Sequence, residues 1–163
     1  MLFRSFPVTI GKLYAIEWTA RFGTPTTETL LETWDDDFAQ LFAGWLDGDM
    51  NQPVKKGKIG LGVVIAGGGY SYPDAVVQGL PVTVEGELDN VIPMGAAGNE
   101  GALVTKGGRH FIAVGHGDTI KEAQQSAYSA VKKVAFQDMF YRIDIGDDML
   151  SGNVFEDLEE RWS

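Results

Sequence analysis

The chain contains no cysteine, which excludes disulfides, thiolate nucleophiles and cysteine-based metal sites. Its two histidines are too few for a His-rich zinc centre. Basic residues are scarce: 13 Lys+Arg stand against 23 Asp+Glu, a formal charge of -10 at pH 7. A surface of that sign repels phosphate backbones and anionic lipid, so neither nucleic acid nor a membrane is an expected partner without a local basic patch. No apolar run approaches the roughly 18 residues of a membrane span, and the opening MLFRSFPVTIG lacks the long apolar stretch of a signal peptide. A soluble, cytoplasmic protein is the expectation. Two catalytic signatures are also absent. Gly67-Gly68-Gly69 is followed by Tyr70, Ser71 and Tyr72 rather than Gly-Lys-Ser/Thr, so it reads as a tight turn and not a phosphate loop. Ser71, Ser126, Ser129 and Ser151 all lie outside any Gly-x-Ser-x-Gly, and His110 and His116 have no evident triad partners.

What is present suffices for one compact domain: 163 residues, 44% of them hydrophobic. Leu2–Val8 and Leu13–Trp18 read as strands, the second apolar on both faces and so a central strand of a larger sheet. After the break at Gly23-Thr24-Pro25, the residues Leu30, Leu31, Trp34, Phe38, Leu41, Phe42, Trp45 and Leu46 recur at helical spacing. Asp35, Asp36 and Asp37 interrupt this run where a fresh helix N-terminus favours negative charge, and Gly48 ends it. Asn51–Lys58 reads as an exposed basic loop. Short strands are then expected at Gly60–Ala66, Val82–Val84, Val91–Met94, Ala102–Thr105 and Phe111–Val114. Thr119-Ile120-Lys121-Glu122 is a capping box opening a helix whose buried stripe is Ile120, Ala123, Ala127, Val131 and Val134. Phe140–Ile145 reads as a returning strand, followed by an acidic, amphipathic tail.

Two stretches carry chemistry. In Glu17-Trp18-Thr19-Ala20-Arg21 a carboxylate ends an apolar strand and an arginine follows four residues on. A carboxylate in such a strand needs a metal ion or a cation, so Glu17 either pairs structurally with Arg21 or holds a metal. In Thr105-Lys106-Gly107-Gly108-Arg109 two basic residues flank a Gly-Gly turn whose backbone N–H groups could hold a phosphate; the alternative is a solvent-exposed hairpin with two incidental charges.

Five blocks taken together, Tyr14–Gly23 (YAIEWTARFG), Leu61–Tyr70 (LGVVIAGGGY), Val104–Arg109 (VTKGGR), Gly117–Ala123 (GDTIKEA) and Phe140–Gly146 (FYRIDIG), resemble in order the C-terminal portion of the phosphoribosylamine-glycine ligases. These are ATP-grasp enzymes of purine biosynthesis that join glycine to phosphoribosylamine through an acyl phosphate, using ATP and magnesium. The resemblance implies an α+β fold, in which the end of an ATP-grasp subdomain (1–50) precedes a small mixed sheet with a covering helix (51–146) and the acidic tail (147–163). It also implies that Glu17 is a magnesium ligand and that Arg21 is catalytic beside the acyl phosphate. Lys106, Gly107, Gly108 and Arg109 are implied to face the ribose phosphate of the substrate.

The chain departs from that pattern at three places. Thr19 stands where the family has Asn as a second magnesium ligand, and Thr24-Pro25-Thr26 where it has Asp-Pro-Glu. Pro93-Met94-Gly95-Ala96 replaces His-Ala-Gly-Thr. The segments that would carry the ATP-phosphate lysines and the adenine pocket are not in this sequence. One reading is therefore the C-terminal part of a ligase, inactive alone and assembling with a separate N-terminal ATP-grasp chain or by self-association. The other is a non-catalytic binding or assembly module that kept the fold, with or without an anion site.

Overall fold

The structure, a computed structural model, describes residues 2–8, 12–19, 23–34, 37–50, 58–70, 72, 75–99 and 102–152, the first two segments as backbone only. β1 (Leu2–Val8) and β2 (Lys12–Thr19) form an antiparallel hairpin, with Glu17 opposite Arg4 and an irregularity between Arg4 and Ser5. Both strands fall within a residue of expectation. Among the described residues β2 pairs with β1 alone, where its apolar faces suggested a central strand.

α1 (Thr26–Leu31) and α2 (Phe38–Leu46) follow. Asp37 begins the second as anticipated, its Oδ1 accepting from the N–H groups of Ala39 at 2.8 Å and Gln40 at 3.3 Å. Asp35, Asp36 and the loop residues 51–57 lie outside the described residues.

The core is built on a three-stranded antiparallel sheet in the order β3 (Ile59–Ala66), β8 (Arg109–Gly117), β5 (Val91–Pro93). Period-two alternation sends Leu61, Val63 and Ile65 of β3 to one face, with Phe111 and Ala113 of β8 and Val91 of β5. α3 (Ile120–Val131) covers that face with Ala123, Ala127, Ala130 and Val131. Small residues let it come close: a Cβ added to Gly115 would overlap the Ala127 amide nitrogen and the Ala123 carbonyl oxygen. The capping box forms, with Thr119 Oγ1 accepting from Glu122 N–H and Glu122 Oε2 accepting from Thr119 N–H, both at 3.2 Å. α1 packs on the opposite face, where Thr29 and Thr33 approach Gly60 and Gly62.

Two small antiparallel pairs complete the fold: β4 (Thr83–Val84) with β9 (Val134–Ala135), and β6 (Ala96–Asn99) with β7 (Ala102–Thr105). The class is α+β, and the sheet expected to be mixed is antiparallel at every pairing among the described residues. Val134 is buried in β9 rather than in the helix, because α3 ends at Val131 and the chain turns through Lys132 to pair with β4. β6 was not anticipated, since Ala96-Ala97-Gly98-Asn99 carries little strand propensity.

Phe140–Ile145 is not a strand. Phe140 makes one bridge, exchanging N–H···O bonds of 2.9 Å with Ala66 at the free edge of β3, and the chain then veers away. Side chains of α3 take over its backbone groups. Tyr128 Oη donates to the Arg142 carbonyl at 2.9 Å and accepts from the Ile145 N–H at 3.0 Å, while Gln124 Nε2 donates to the Ile145 carbonyl at 2.9 Å. Replacing Tyr128 by Phe removes both hydroxyl bonds. It should cost about 1 kcal/mol in urea denaturation, at the low end because the site is partly solvated, and should speed hydrogen exchange at Ile145. Unchanged exchange there would show that the tyrosine does not hold the segment. The acidic tail begins with α4 (Asp147–Ser151); residues 153–163 lie outside the described residues.

Candidate functional site

The β7–β8 connection places the Gly-Gly turn beside a second glycine turn. Gly107 has φ +86, a left-handed conformation that glycine adopts without a Cβ penalty, and Lys106 N–H donates to the Gly95 carbonyl at 2.6 Å. Gly67 N–H donates to the Gly108 carbonyl at 2.9 Å, tying the Gly67-Gly68-Gly69 turn to this one. Tyr70 thereby lies against Gly108, and the Arg109 guanidinium sits over the Tyr70 ring with Cζ 5.8 Å from its centroid. That separation is within the range of a cation–π contact.

Arg109 and Tyr70 form one side of an open cleft of about 410 Å³. Gly62, Val63, Val64 and Ala66 of β3 contribute to its lining, as does Pro25, and Phe140, Tyr141, Arg142 and Ile145 supply the other side. Tyr70 and Phe140 are near one another, their centroids 6.5 Å apart. Arg142 is held by a two-point ion pair, Nε to Asp144 Oδ1 at 2.9 Å and Nη2 to Asp144 Oδ2 at 2.7 Å. These hydrogen bonds hold the Asp144 carboxyl below the usual aspartate range and raise the Arg142 guanidinium further. Partial burial pushes the Tyr128 phenol above its ordinary value.

The residues singled out by sequence are thus divided. Gly107, Gly108 and Arg109 lie together, with Arg109 facing the cleft. Lys106 is exposed and does not line it. Glu17 lies on β2 and Arg21 lies outside the described residues, so the geometry of that pair is not part of the described site. His110 is fully buried, its Nδ1 2.9 Å from the Gly95 carbonyl and its ring edge-on to Phe136, which makes it a packing residue. Sequence reasoning missed Tyr70, Tyr141 and Arg142 as site residues. The signal for Tyr141 and Arg142 was the Phe140-Tyr141-Arg142 block, read as a strand, and that for Tyr70 was its place directly after the Gly67-Gly68-Gly69 turn.

Magnesium is ordinarily held by one or two carboxylates together with substrate phosphates. Among the described residues no group of three His, Cys, Asp or Glu could hold a metal ion, and the cleft's lining includes no carboxylate. Among the described residues no helix is long and apolar enough to cross a membrane.

A close-packed antiparallel sheet, a capped helix over one face and a cationic, aromatic cleft at its edge define an α+β domain. The profile of the phosphoribosylglycinamide synthetase C domain matches residues 60–148, more than half of the 163-residue chain, and the chain belongs to that family. It is 37% identical over 142 residues to a phosphoribosylamine-glycine ligase of Vibrio vulnificus, covering 83% of this chain and 33% of that protein. A Streptococcus pneumoniae ligase is 38% identical over 134 residues, covering 80% and 32%. The crystal structure of the phosphoribosylamine-glycine ligase of Thermotoga maritima superposes with a TM-score of 0.71 at 33% identity, over 83% of this chain and 34% of that one. The chain therefore spans about a third of the length of the relatives it matches.

Proposed function

We propose that this chain serves as the C-terminal portion of a phosphoribosylamine-glycine ligase. In this reading it acts with an ATP-grasp portion that binds ATP and magnesium, and the reaction joins glycine to phosphoribosylamine. The observation that carries the reading is the alignment of 83% of the chain with one third of such a ligase at 37% identity. Arg109 and the Gly107-Gly108 turn are its contact with the sugar phosphate, Glu17 contributes to holding magnesium, and Arg21 stabilises the transferring phosphoryl group. Lys106 is a solvated neighbour in this assignment. The ATP-grasp portion is supplied by a partner chain or by a longer form of the same polypeptide.

The experiment is reconstitution. The purified chain alone should form no glycinamide ribonucleotide from ATP, glycine and phosphoribosylamine. Mixing it with the remaining two thirds of a relative such as the Vibrio vulnificus ligase should restore product. Product formation by the chain alone would overturn the division of labour, and a tight but inactive mixture would favour the non-catalytic assembly module. One observation supports that second reading. Thr24 and Thr26 stand where the resembled pattern has two carboxylates, and Thr24 Oγ1 is spent on a 3.2 Å bond to Glu28 Oε1.

A further inference from the structure

The cleft offers more than a bare sugar phosphate would use. Its polar side chains are two guanidiniums and two phenols, and the rest of its lining is aliphatic, aromatic or backbone. A bare sugar phosphate has no apolar face to set against the Val64, Phe140 and Ile145 part of this lining. The faces of a flat base can stack on the rings of the cleft while its polar edge stays in water at the open mouth. At about 410 Å³ the cleft falls within the size range of small-molecule sites.

We propose that this cleft binds a phosphate monoester carrying a flat base, the chemistry of a nucleoside monophosphate, with Arg109 gripping the phosphate and Tyr70, Phe140 and Tyr141 taking the base. Arg109 is suited to the phosphate because its only described partner is the Tyr70 ring, so its five N–H donors are free of any described carboxylate. Arg142 is the weaker cation. Asp144 takes the Nε–H and one Nη2–H, leaving three N–H donors on a guanidinium whose charge is already paired. Gln124 and Tyr128 fix the Arg142–Ile145 backbone, so this side of the cleft is set before any ligand arrives. Such a ligand would compete with a sugar phosphate for Arg109. That regulatory consequence rests on the function proposed above, whereas the binding itself does not.

The test is titration of the full chain with AMP, ribose 5-phosphate and inorganic phosphate, followed by amide chemical shifts. AMP should shift Gly108, Arg109 and Phe140 and bind about tenfold more tightly than ribose 5-phosphate, the worth of one stacked base. Arg109→Met should weaken AMP by about tenfold, and Arg142→Met by less. Tyr70→Ala should weaken AMP several-fold and leave ribose 5-phosphate unaffected. Arg109 and Tyr70 are both exposed, so these variants should fold, which far-UV circular dichroism would verify. Absence of AMP shifts at millimolar concentration would overturn the proposal, as would equal affinity for AMP and ribose 5-phosphate, or a loss on Lys106→Met as large as on Arg109→Met. A reconstituted ligase that works while AMP fails to bind would sink this inference alone. AMP binding with these dependencies in an inactive mixture would sink the ligase reading alone.

Discussion

Gly115→Val is expected to be the most damaging single substitution in the domain. The added Cβ falls on the backbone of α3, overlapping Ala127 N and Ala123 O and lying 2.7 Å from Ala127 Cα. Backbone atoms of a capped helix cannot rotate aside as the end of a long side chain can. Relief requires α3 to lift from β8, which would open the contacts of Ala123, Ala127 and Val131 with Phe111 and Ala113. Overpacking of this kind costs typically 1–3 kcal/mol and occasionally more; a clash with two helical residues places it at about 3 kcal/mol or above. For a domain of this size the melting temperature should drop by roughly 6–12 °C. Gly98→Ala is the control: a Cβ there meets nothing within 4 Å, and the change should stay within about 0.5 kcal/mol. Thermal melts that place the two variants together would show that α3 does not pack as described.

Where local chemistry decides the structure, the sequence was easily read. The hairpin of β1 and β2, the cap at Asp37, the box at Thr119 and Glu122, and the strand at Ile59–Ala66 each follow from propensity, patterning or capping confined to a few neighbours. The errors arise where distant residues decide. Phe140–Ile145 has the composition of a strand, yet Tyr128 and Gln124, more than ten residues earlier, satisfy its backbone and turn it into a side of the cleft. Val134 has the helical spacing, yet its pairing with Val84 removes it from the helix. The site was half legible for the same reason. Gly107, Gly108 and Arg109 are contiguous and carry a local signal, whereas Tyr70, Tyr141 and Arg142 join them only through the Gly67–Gly108 bond and the Ala66–Phe140 bridge. Lys106, adjacent in sequence, does not line the cleft.

In the reconstituted ligase, Arg21→Met should lower turnover by about 10²- to 10³-fold, the usual cost of removing one group directed at charge that develops in the transition state. Arg21→Lys should recover part of it, because an ammonium keeps the charge but loses the two-point geometry of a guanidinium. Glu17→Gln should raise the magnesium concentration needed for half-maximal rate, since the amide keeps the shape of the carboxylate and loses its charge. Set against this is the purely structural role, in which Glu17 and Arg21 exist to neutralise one another in an apolar strand. Breaking such a pair leaves a poorly compensated charge and costs about 3–5 kcal/mol if it is fully buried, whichever partner is removed. The two roles separate on a pair of measurements. A functional pair gives variants that melt within a few degrees of the parent, assemble normally and turn over slowly, with only Glu17→Gln responding to added magnesium. A structural pair gives variants that melt far lower and are equally impaired by either substitution. Magnesium would not rescue them, and the activity of whatever fraction remained folded would be undiminished. Parent-like melting together with parent-like turnover in both variants would remove these two residues from the reaction altogether.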